Sequence, residues 1–361
     1  MSLRVAFRVD ASQAIGTGHV MRCLALADAV KAAGGTCLFV MRDLAGHLGK
    51  LVSEHGHMVA MLVATGCPPA NPDDKYTAWL EADPAADARE TLAALGTGQP
   101  WTWLIVDHYA LDDTWQSAVR SRGTRIAVID DLADRPHDCD LLIDQNLQGW
   151  TGRYDRLLPP DCVRLLGPQY ALLRPEFGKL RAEMSRTPEN PVRRMLVFLG
   201  GMDAPGLTES SLAALEVVRG AESRADVVIG RGNLRADSIR AWCSARPWIT
   251  VHGGDSDLGA LMSVADIAIG ASGATTWERA CLGLPTVLIV IAANQLPIAA
   301  AVAAAGAAIV AGEWRSVSVD DITGATKPLI HDQGLRVRMS KAAAALGDGE
   351  GCQRVVEVLA R

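Results

Sequence analysis

Short apolar runs alternate with helix-like segments along most of the chain, and this alternation limits the fold more than any other sequence feature. Runs such as Val5–Val9 and Trp103–Val106 have the length and β-branched content of buried strands, and segments with helical spacing follow them. Strands joined through helices run parallel, because a helical crossover returns the chain to the same end of the sheet. The sequence therefore predicts an α/β fold with parallel sheets.

The predicted strands fall into two groups, one in each half of the chain. They are Val5–Val9, Cys37–Met41, Met58–Leu62, Trp103–Val106, Ile126–Ile129 and Leu141–Ile143, then Met195–Leu199, Val227–Ile229, Ile249–Val251, Ile267–Ile269 and Thr286–Ile291. A chain of 361 residues is long enough for two domains. We predict two Rossmann-like domains facing each other across a cleft: residues 1–165, an inter-domain crossing at 166–192, and residues 193–361, with helices at about 335–346 and 350–360.

Charge and cysteine content exclude several classes of protein. A net charge of −6 argues against general binding of nucleic acid or an anionic membrane. Eight scattered cysteines without a CxxC pair indicate reduced thiols rather than a disulfide or zinc framework, and the first residues lack a signal peptide. We expect a cytoplasmic protein. The sequence leaves the oligomeric state open and is compatible with a monomer.

An uncharged segment at 284–312 is long enough to cross a bilayer. Pro285, Asn294-Gln295 and Pro297 interrupt it, and its first half is β-branched whereas its second half is rich in alanine. A buried strand followed by a packed helix explains this composition better than a membrane span.

The first glycine-rich turn, "RVDASQAIGTGHVMR" (8–22), places a histidine at the start of a helix. Gly16 and Gly18 match part of the dinucleotide fingerprint, but Met21 stands where the third glycine belongs. The positive end of the helix dipole disfavours an imidazolium, so His19 is suited to accept a proton. The residues alone fit either a general base or a histidine that caps the helix or packs in the core.

The second half contains two further glycine turns. "LVFLGGMDAPG" (196–206) ends a strand at Gly200-Gly201, and Ser272, Gly273 and Ala274 open a helix after another strand. Such a turn can hold a diphosphate with backbone N–H groups and the helix dipole. Glu278 lies one turn into that helix, where it would bind the hydroxyls of a ribose or serve as an exposed helix carboxylate.

Polar residues elsewhere admit two interpretations as well. Asn294 and Gln295 follow a strand and fit either contacts to a sugar or a helix cap. Asp255-Ser256-Asp257 fits a helix N-cap, and Asp138-Cys139-Asp140 precedes a strand. Neither acidic string has histidines at metal-ligand spacing, so we predict no metal. The incomplete fingerprint at Gly16, Gly18 and Met21 argues against a nicotinamide or flavin, so we predict no cofactor.

Five segments together resemble a known enzyme family. They are "RVDASQAIGTGHVMRCLALADAV" (8–30), "LIVDHYALD" (104–112), "IDDLADRPHDCDLLIDQNL" (129–147), "LLGPQYALLRPEF" (165–177) and "ASGATTWERACLGLP" (271–285). This pattern resembles the UDP-2,4-diacetamido-2,4,6-trideoxy-β-L-altropyranose hydrolases of pseudaminic acid biosynthesis, over about residues 4–311. The last segment is similar to GT-B glycosyltransferases of the MurG type as well.

The resemblance implies a GT-B architecture in which the C-terminal domain holds most of the UDP. It implies hydrolysis of the anomeric C1–O bond of that UDP-sugar, releasing UDP and 2,4-diacetamido-2,4,6-trideoxy-L-altrose. The family's catalytic histidine corresponds to His19, its substrate-binding arginine to Arg174 and its nucleotide-contacting glutamate to Glu278. Residues after about 311 match no family pattern, and the contacts to uracil stay open.

Water activated by His19 would attack the face opposite the diphosphate, so we predict inversion. The predicted substrate-binding residues are Gly16, Gly18, Arg174, Gly200, Gly201, Ser272, Gly273, Ala274, Glu278, Asn294 and Gln295. Five further residues at or just after strand ends fit a structural role as well as they fit contact with substrate: Asp10, Arg22, His108, Tyr109 and Asp131. Arg174 fits a domain-crossing salt bridge as well as a phosphate or N-acetyl contact. The alternatives are a GT-B glycosyltransferase that uses a UDP-sugar donor and a non-catalytic nucleotide-sugar binding protein.

Overall fold

The computed structural model describes residues 3–66, 76–120, 123–147, 151–184, 186, 191–203 and 205–361. The described residues form two compact units. The first contains the chain up to Asn146, the segment that ends at Arg174, and Glu350–Arg361; the second consists mainly of Pro175–Gly349.

The first unit is built on a seven-stranded sheet in which every pairing is parallel. Its strands are β1 (Arg4–Val9), β2 (Thr36–Arg42), β3 (Met58–Leu62), β4 (Trp103–Asp107), β5 (Arg125–Ile129), β6 (Leu141–Asp144) and β7 (Val163–Leu166), in the order 3-2-1-4-5-6-7. The helices between them are α1 (Gly18–Ala32), α2 (Gly49–Glu54), α3 (Pro84–Leu95) and α4 (Asp113–Val119).

The second unit repeats this plan with a six-stranded parallel sheet. Its strands are β8 (Arg194–Phe198), β9 (Arg224–Ile229), β10 (Ile249–Gly253), β11 (Ile267–Ala271), β12 (Thr286–Val290) and β13 (Ile309–Glu313), in the order 10-9-8-11-12-13. Its helices are α5 (Pro175–Glu183), α6 (Leu207–Val218), α7 (Ala236–Ser244), α8 (Leu258–Val264), α9 (Thr275–Cys281), α10 (Leu296–Ala304), α11 (Val319–His331) and α12 (Gln333–Ala344).

Each sheet reverses its strand order at one point, and these points mark where ligands bind in such folds. The reversal lies between β1 and β4 in the first sheet and between β8 and β11 in the second. Loops that leave two neighbouring strands there diverge to opposite faces and open a crevice at the carboxyl ends. The turns that contain His19 and Ser272 follow β1 and β11, so each unit has a sequence-predicted loop at its reversal point.

The last helix, α13 (Gly351–Leu359), packs in the first unit, although the sequence assigned residues 193–361 to the second domain. Val355 and Leu359 are fully buried in the core that contains Phe7, and Trp103 donates a hydrogen bond from Nε1 to the Leu359 carbonyl at 2.8 Å. The first unit also extends to Arg174 rather than to residue 165. An amphipathic pattern shows that one helix face is apolar, but it does not show which sheet that face covers.

The uncharged segment at 284–312 forms β12, α10 and the greater part of β13, which confirms the predicted strand and helix. Across the described ranges, the helices lack the combination of length and apolar content needed to traverse a bilayer. The seven cysteines within these ranges are buried. Cys67, and the parts of the predicted crossing at 185 and 187–190, lie outside the described residues.

Candidate functional site

His19 is the second residue of α1, and its ring contacts the carboxylate that ends the neighbouring strand. Its Nδ1 lies 2.6 Å from Asp107 Oδ1, because β1 and β4 pair with Val9 opposite Asp107. Asp107 is fully buried, whereas the His19 side chain keeps about 10% of its exposure. A carboxylate that accepts from Nδ1–H fixes the tautomer in which Nε2 can accept a proton.

Arg22, one turn further along α1, binds the same carboxylate. Its Nε donates to Asp107 Oδ2 at 2.7 Å and its Nη2 donates to Oδ1 at 2.6 Å. Burial alone would raise the pKa of Asp107, but Arg22 and then His19 outweigh it and hold that pKa well below its usual range. Asp107 is therefore ionised and can orient the imidazole.

Asp131, which follows β5, accepts hydrogen bonds from the remaining polar groups of this cluster. Tyr109 donates its hydroxyl to Asp131 Oδ1 at 2.6 Å, and Asn146 and Arg22 approach Oδ2 at 3.2 and 3.4 Å. Burial, and next the charge of Asp131, raise the pKa of Tyr109 well above its usual value, so the phenol stays protonated. The structure thus brings His19, Arg22, Tyr109 and Asp131 together, and adds Asp107, which the sequence analysis missed.

Asp10 and His108 lie in a separate buried ion-pair network. Asp10 Oδ2 lies 2.8 Å from Arg8 Nη1 and 3.6 Å from His108 Nε2, and Asp10 Oδ1 accepts from the Arg42 backbone N–H at 2.6 Å. Burial lowers the pKa of His108 to about 4, so this ring is neutral at neutral pH. These partners give Asp10 and His108 a structural role; contact with substrate stays a prediction.

The glycines before His19 shape the turn. Gly16 has a φ of +82° and donates its N–H to the Ser12 carbonyl at 2.8 Å, a conformation that favours glycine. A Cβ at Gly16 or Gly18 would meet no atom within 4 Å, so this side of the turn is open. In the described structure, the N-cap residue of α1, Thr17, makes no side-chain hydrogen bond to the start of the helix.

In the second unit, the glycine turn after β8 is held by a backbone hydrogen bond from Gly232 and by the carboxylate of Asp203. Gly200 has a φ of +89°, and the Gly201 carbonyl accepts from the Gly232 N–H at 3.0 Å. The carboxylate of Asp203 accepts from the N–H groups of Leu207 and Thr208, each at 2.9 Å. The first N–H groups of α6 are thus already bound to this carboxylate.

The turn after β11 differs from this one at its helix start: among the described residues, the N-cap residue of α9, Ala274, makes no side-chain hydrogen bond to the first N–H groups. Ser272 donates to Gln295 Oε1 at 3.2 Å, and the same oxygen accepts from the Ile291 N–H at 3.2 Å. Asn294 and Gln295 lie in a 3₁₀ turn at 293–295 directly after β12, and Glu278 is half-buried in the first turn of α9. The structure therefore groups Ser272, Gly273, Ala274, Gln295 and Asn294 at one edge of the second sheet.

A buried arginine, Arg279, forms hydrogen bonds to residues on both sides of this turn. Arg279 donates from Nη2 to the Ala271 carbonyl at 2.6 Å and from Nη1 to Thr275 Oγ1 at 3.0 Å. Burial lowers the pKa of Arg279 to about 10, so the guanidinium is charged at neutral pH. It fixes the end of β11 and the start of α9 in one arrangement.

The acidic strings have structural roles. Asp257 accepts from the Ala260 N–H at 2.9 Å and caps α8, as predicted. Asp138 and Asp140 both bind Arg120, at 2.7 and 3.1 Å. Arg174 is half-buried and is the last residue of the first unit before the chain enters the second at Pro175, and its part in binding stays a prediction. A cavity of about 500 Å³ lies at the opposite edge of the first sheet, against Trp103, Arg125 and Val163 at the amino ends of their strands.

The two units, each with a Rossmann-like parallel sheet, define the GT-B architecture. The fold is similar to that of MurG from Acinetobacter baumannii, with a TM-score of 0.67, 16% identity and 99% of each chain covered. It is also similar to LpCGTa, whose structure is a complex with UDP, with a TM-score of 0.66, 14% identity and full coverage of both chains. Residues 195–355 match the glycosyltransferase family 28 C-terminal domain. This match extends well past residue 311, so the expectation that the following residues fit no family pattern was wrong.

Two curated proteins are similar in sequence. The spore coat polysaccharide biosynthesis protein SpsG of Bacillus subtilis is 28% identical over 194 residues, covering 54% of this chain and 57% of the relative. The UDP-2,4-diacetamido-2,4,6-trideoxy-β-L-altropyranose hydrolase of Campylobacter jejuni is 26% identical over 209 residues, covering 57% of this chain and 63% of the relative. The chain thus spans about three fifths of the length of these relatives.

Proposed function

We propose that this protein is a UDP-sugar hydrolase that cleaves the anomeric C1–O bond of UDP-2,4-diacetamido-2,4,6-trideoxy-β-L-altropyranose, with His19 as the general base. The observation that carries the proposal is the 2.6 Å contact between His19 Nδ1 and Asp107, at the reversal point of the first sheet. This contact gives the imidazole the tautomer and orientation that a base needs.

In the proposed reaction, Nε2 of His19 takes a proton from water as the water attacks C1. Asp107 is fully buried and bound by Arg22 through both oxygens, so it is not available as a covalent nucleophile. A single displacement by water, without a glycosyl-enzyme intermediate, inverts the configuration at C1. The products are UDP and 2,4-diacetamido-2,4,6-trideoxy-L-altrose.

We assign the diphosphate to the turn formed by Ser272, Gly273 and Ala274. Backbone N–H groups at the start of a helix stabilise the negative charge that develops on a leaving diphosphate. The starts of α6 and α8 are bound by the carboxylates of Asp203 and Asp257, whereas the N-cap residue of α9, Ala274, provides no side-chain hydrogen bond within the described part of the chain. Glu278 would take the ribose hydroxyls, and Asn294 and Arg174 would bind the sugar or phosphate.

The choice of sugar is supported by the hydrolase of Campylobacter jejuni, which is named for this substrate. The GT-B fold and the family 28 match support a nucleotide-sugar as the ligand class. No group in this scheme requires a cofactor.

The second candidate is a glycosyltransferase, and the family 28 match together with the MurG-like fold favours it. In that reaction an acceptor hydroxyl replaces water, and His19 would deprotonate the acceptor. The nucleotide contacts would be the same, so the two functions differ only in what attacks C1.

One experiment separates these functions: incubation with the UDP-sugar in ¹⁸O-labelled water without an acceptor. We expect UDP release, ¹⁸O on the anomeric hydroxyl of the sugar, and an inverted anomer in an NMR spectrum recorded before mutarotation. Label on the phosphate would indicate pyrophosphate cleavage, and release that needs an acceptor would indicate a transferase. UDP binding without turnover would indicate a binding protein.

A further inference from the structure

Three aromatic rings, which we call the aromatic wall, contact one another beside His19: Tyr76, Trp79 and Tyr109. Tyr109 meets the imidazole edge-on with ring centroids 4.7 Å apart, and the Trp79 centroid lies 6.2 Å from it. Trp79 stacks on Tyr109 at 5.6 Å, and Tyr76 lies 4.9 Å from both. The chain has only four tyrosines, and two of them are in this wall.

The three rings differ in their exposure. Tyr109 is 5% exposed and its hydroxyl is bound to Asp131, so it forms the fixed inner part of the wall. Tyr76 and Trp79 are half-buried, so part of each residue stays accessible to solvent, and the Trp79 ring lies close to the proposed base. Accessible aromatic rings beside a cluster of oriented polar groups are typical of small-molecule sites.

We propose that Trp79 and Tyr76 form the surface on which the apolar groups of the sugar pack, making the site selective for deoxygenated, N-acylated hexoses. The inference rests on the proposed function, because it takes the sugar to be the ligand of His19. A 6-deoxy sugar with two acetamido groups presents methyl groups that gain free energy when they leave water against an aromatic ring. A hydroxyl at C6 would instead lose its hydration against the same rings.

The kinetic test compares Trp79→Leu, which removes the aromatic face, with Trp79→Phe, which keeps one. We expect Trp79→Leu to raise KM for the diacetamido-trideoxy substrate by about tenfold or more, with a smaller effect on kcat. Trp79→Phe should restore most of this loss, and the affinity for UDP alone should not change. Trp314→Leu, which removes a half-buried tryptophan from the second unit, is the matched control and should behave as the wild type.

A binding measurement keeps this inference separate from the catalytic one. Saturation-transfer NMR with the free diacetamido-trideoxy sugar should show the strongest transfer to its methyl protons in the wild type, and a loss in Trp79→Leu. That result without UDP-sugar hydrolysis would support the wall and contradict the proposed reaction. Equal methyl transfer in both proteins, an unchanged KM, or no binding of the sugar to the wild type would overturn the inference.

Discussion

His19 and Arg22 meet at one oxygen atom: Nδ1 of His19 and Nη2 of Arg22 each lie 2.6 Å from Asp107 Oδ1, and 3.2 Å from each other. The guanidinium keeps the buried carboxylate ionised, and the carboxylate in turn sets the tautomer of the imidazole. The orientation of the proposed base thus depends on a charge pair that does not itself need to touch substrate.

Replacing Asp107 tests this dependence. Asp107→Asn can turn its amide N–H toward Nδ1, which would move the ring proton to Nε2 and remove the proton acceptor. We expect kcat to fall by about 10²–10⁴-fold while calorimetry shows unchanged affinity for UDP. Asp28→Asn is the control, because Asp28 pairs with His55 and His57 at 2.9 and 2.8 Å in the same unit. Turnover of Asp107→Asn within threefold of the wild type would contradict the role of Asp107.

Removal of the base itself should separate chemistry from binding. We expect His19→Ala to lose turnover by at least about 10²-fold and to keep its affinity for UDP, because the nucleotide is assigned to the second unit. His55→Ala removes a more exposed histidine, with a side chain 38% exposed, and should retain full activity. Normal UDP release by His19→Ala would make the catalytic assignment wrong.

Two glycines at the end of β11 should respond differently to alanine. A Cβ at Gly270 would lie 2.5 Å from Nη1 of Arg279. The Arg279 side chain is buried and is held by Thr275 Oγ1 and the Ala271 carbonyl, so Gly270→Ala should destabilise the fold by about 1–3 kcal/mol. A Cβ at Gly273 would lie 3.4 Å from Gln295 Nε2, an ordinary contact. We therefore expect Gly273→Ala to keep the melting temperature and to weaken UDP binding about tenfold, because the methyl group obstructs the approach of the diphosphate to backbone N–H groups. Unchanged UDP affinity would remove this turn from the nucleotide site.

The sequence predicted every central strand of both sheets, because buried parallel strands are continuous apolar runs. The two strands that it missed, β7 and β13, are edge strands: Val163 is 49% exposed, and β13 includes Gly312 and Glu313. In β7 an arginine interrupts the apolar residues, and in β13 only Ile309, Val310 and Ala311 are apolar before Gly312 and Glu313, so neither segment stands out as a strand. Helix α11 was missed as well, although Ser318 and Asp321 form a capping box that the sequence displays.

At the candidate site, the glycine turns located His19 and Ser272 correctly at strand ends, since loops after parallel strands share one edge of the sheet. Asp107 was missed because it ends an apolar strand and shows its partner only when β1 and β4 are known to be neighbours. Trp79 and Tyr76 lie in a connection with no periodic pattern, so only the folded chain brings their rings to His19.

The carboxylate of Asp144 leads to a prediction about stability and pH. Asp144 is 1% exposed, and burial raises its pKa to about 7, against a smaller lowering by the Asn146 N–H. In the unfolded chain an aspartate titrates near pH ~4, so between these values the folded protein binds the proton more tightly. This stabilising contribution is complete below pH ~4 and is lost as the pH rises through about 7.

Asp144→Asn removes the ionisation and should therefore flatten that part of the pH profile. The neutral amide can still accept from the Asn146 N–H, which donates to Asp144 Oδ1 at 3.0 Å, and can still contact Tyr154. The melting temperature of the variant relative to the wild type should rise between pH 5 and pH 8, with about 3 kcal/mol as the upper bound of the change in stability over this range. Asp161→Asn, which removes an exposed carboxylate, should show no such trend. Parallel profiles for Asp144→Asn and the wild type would mean that Asp144 is already ionised at pH 5, so its burial would not hold the proton.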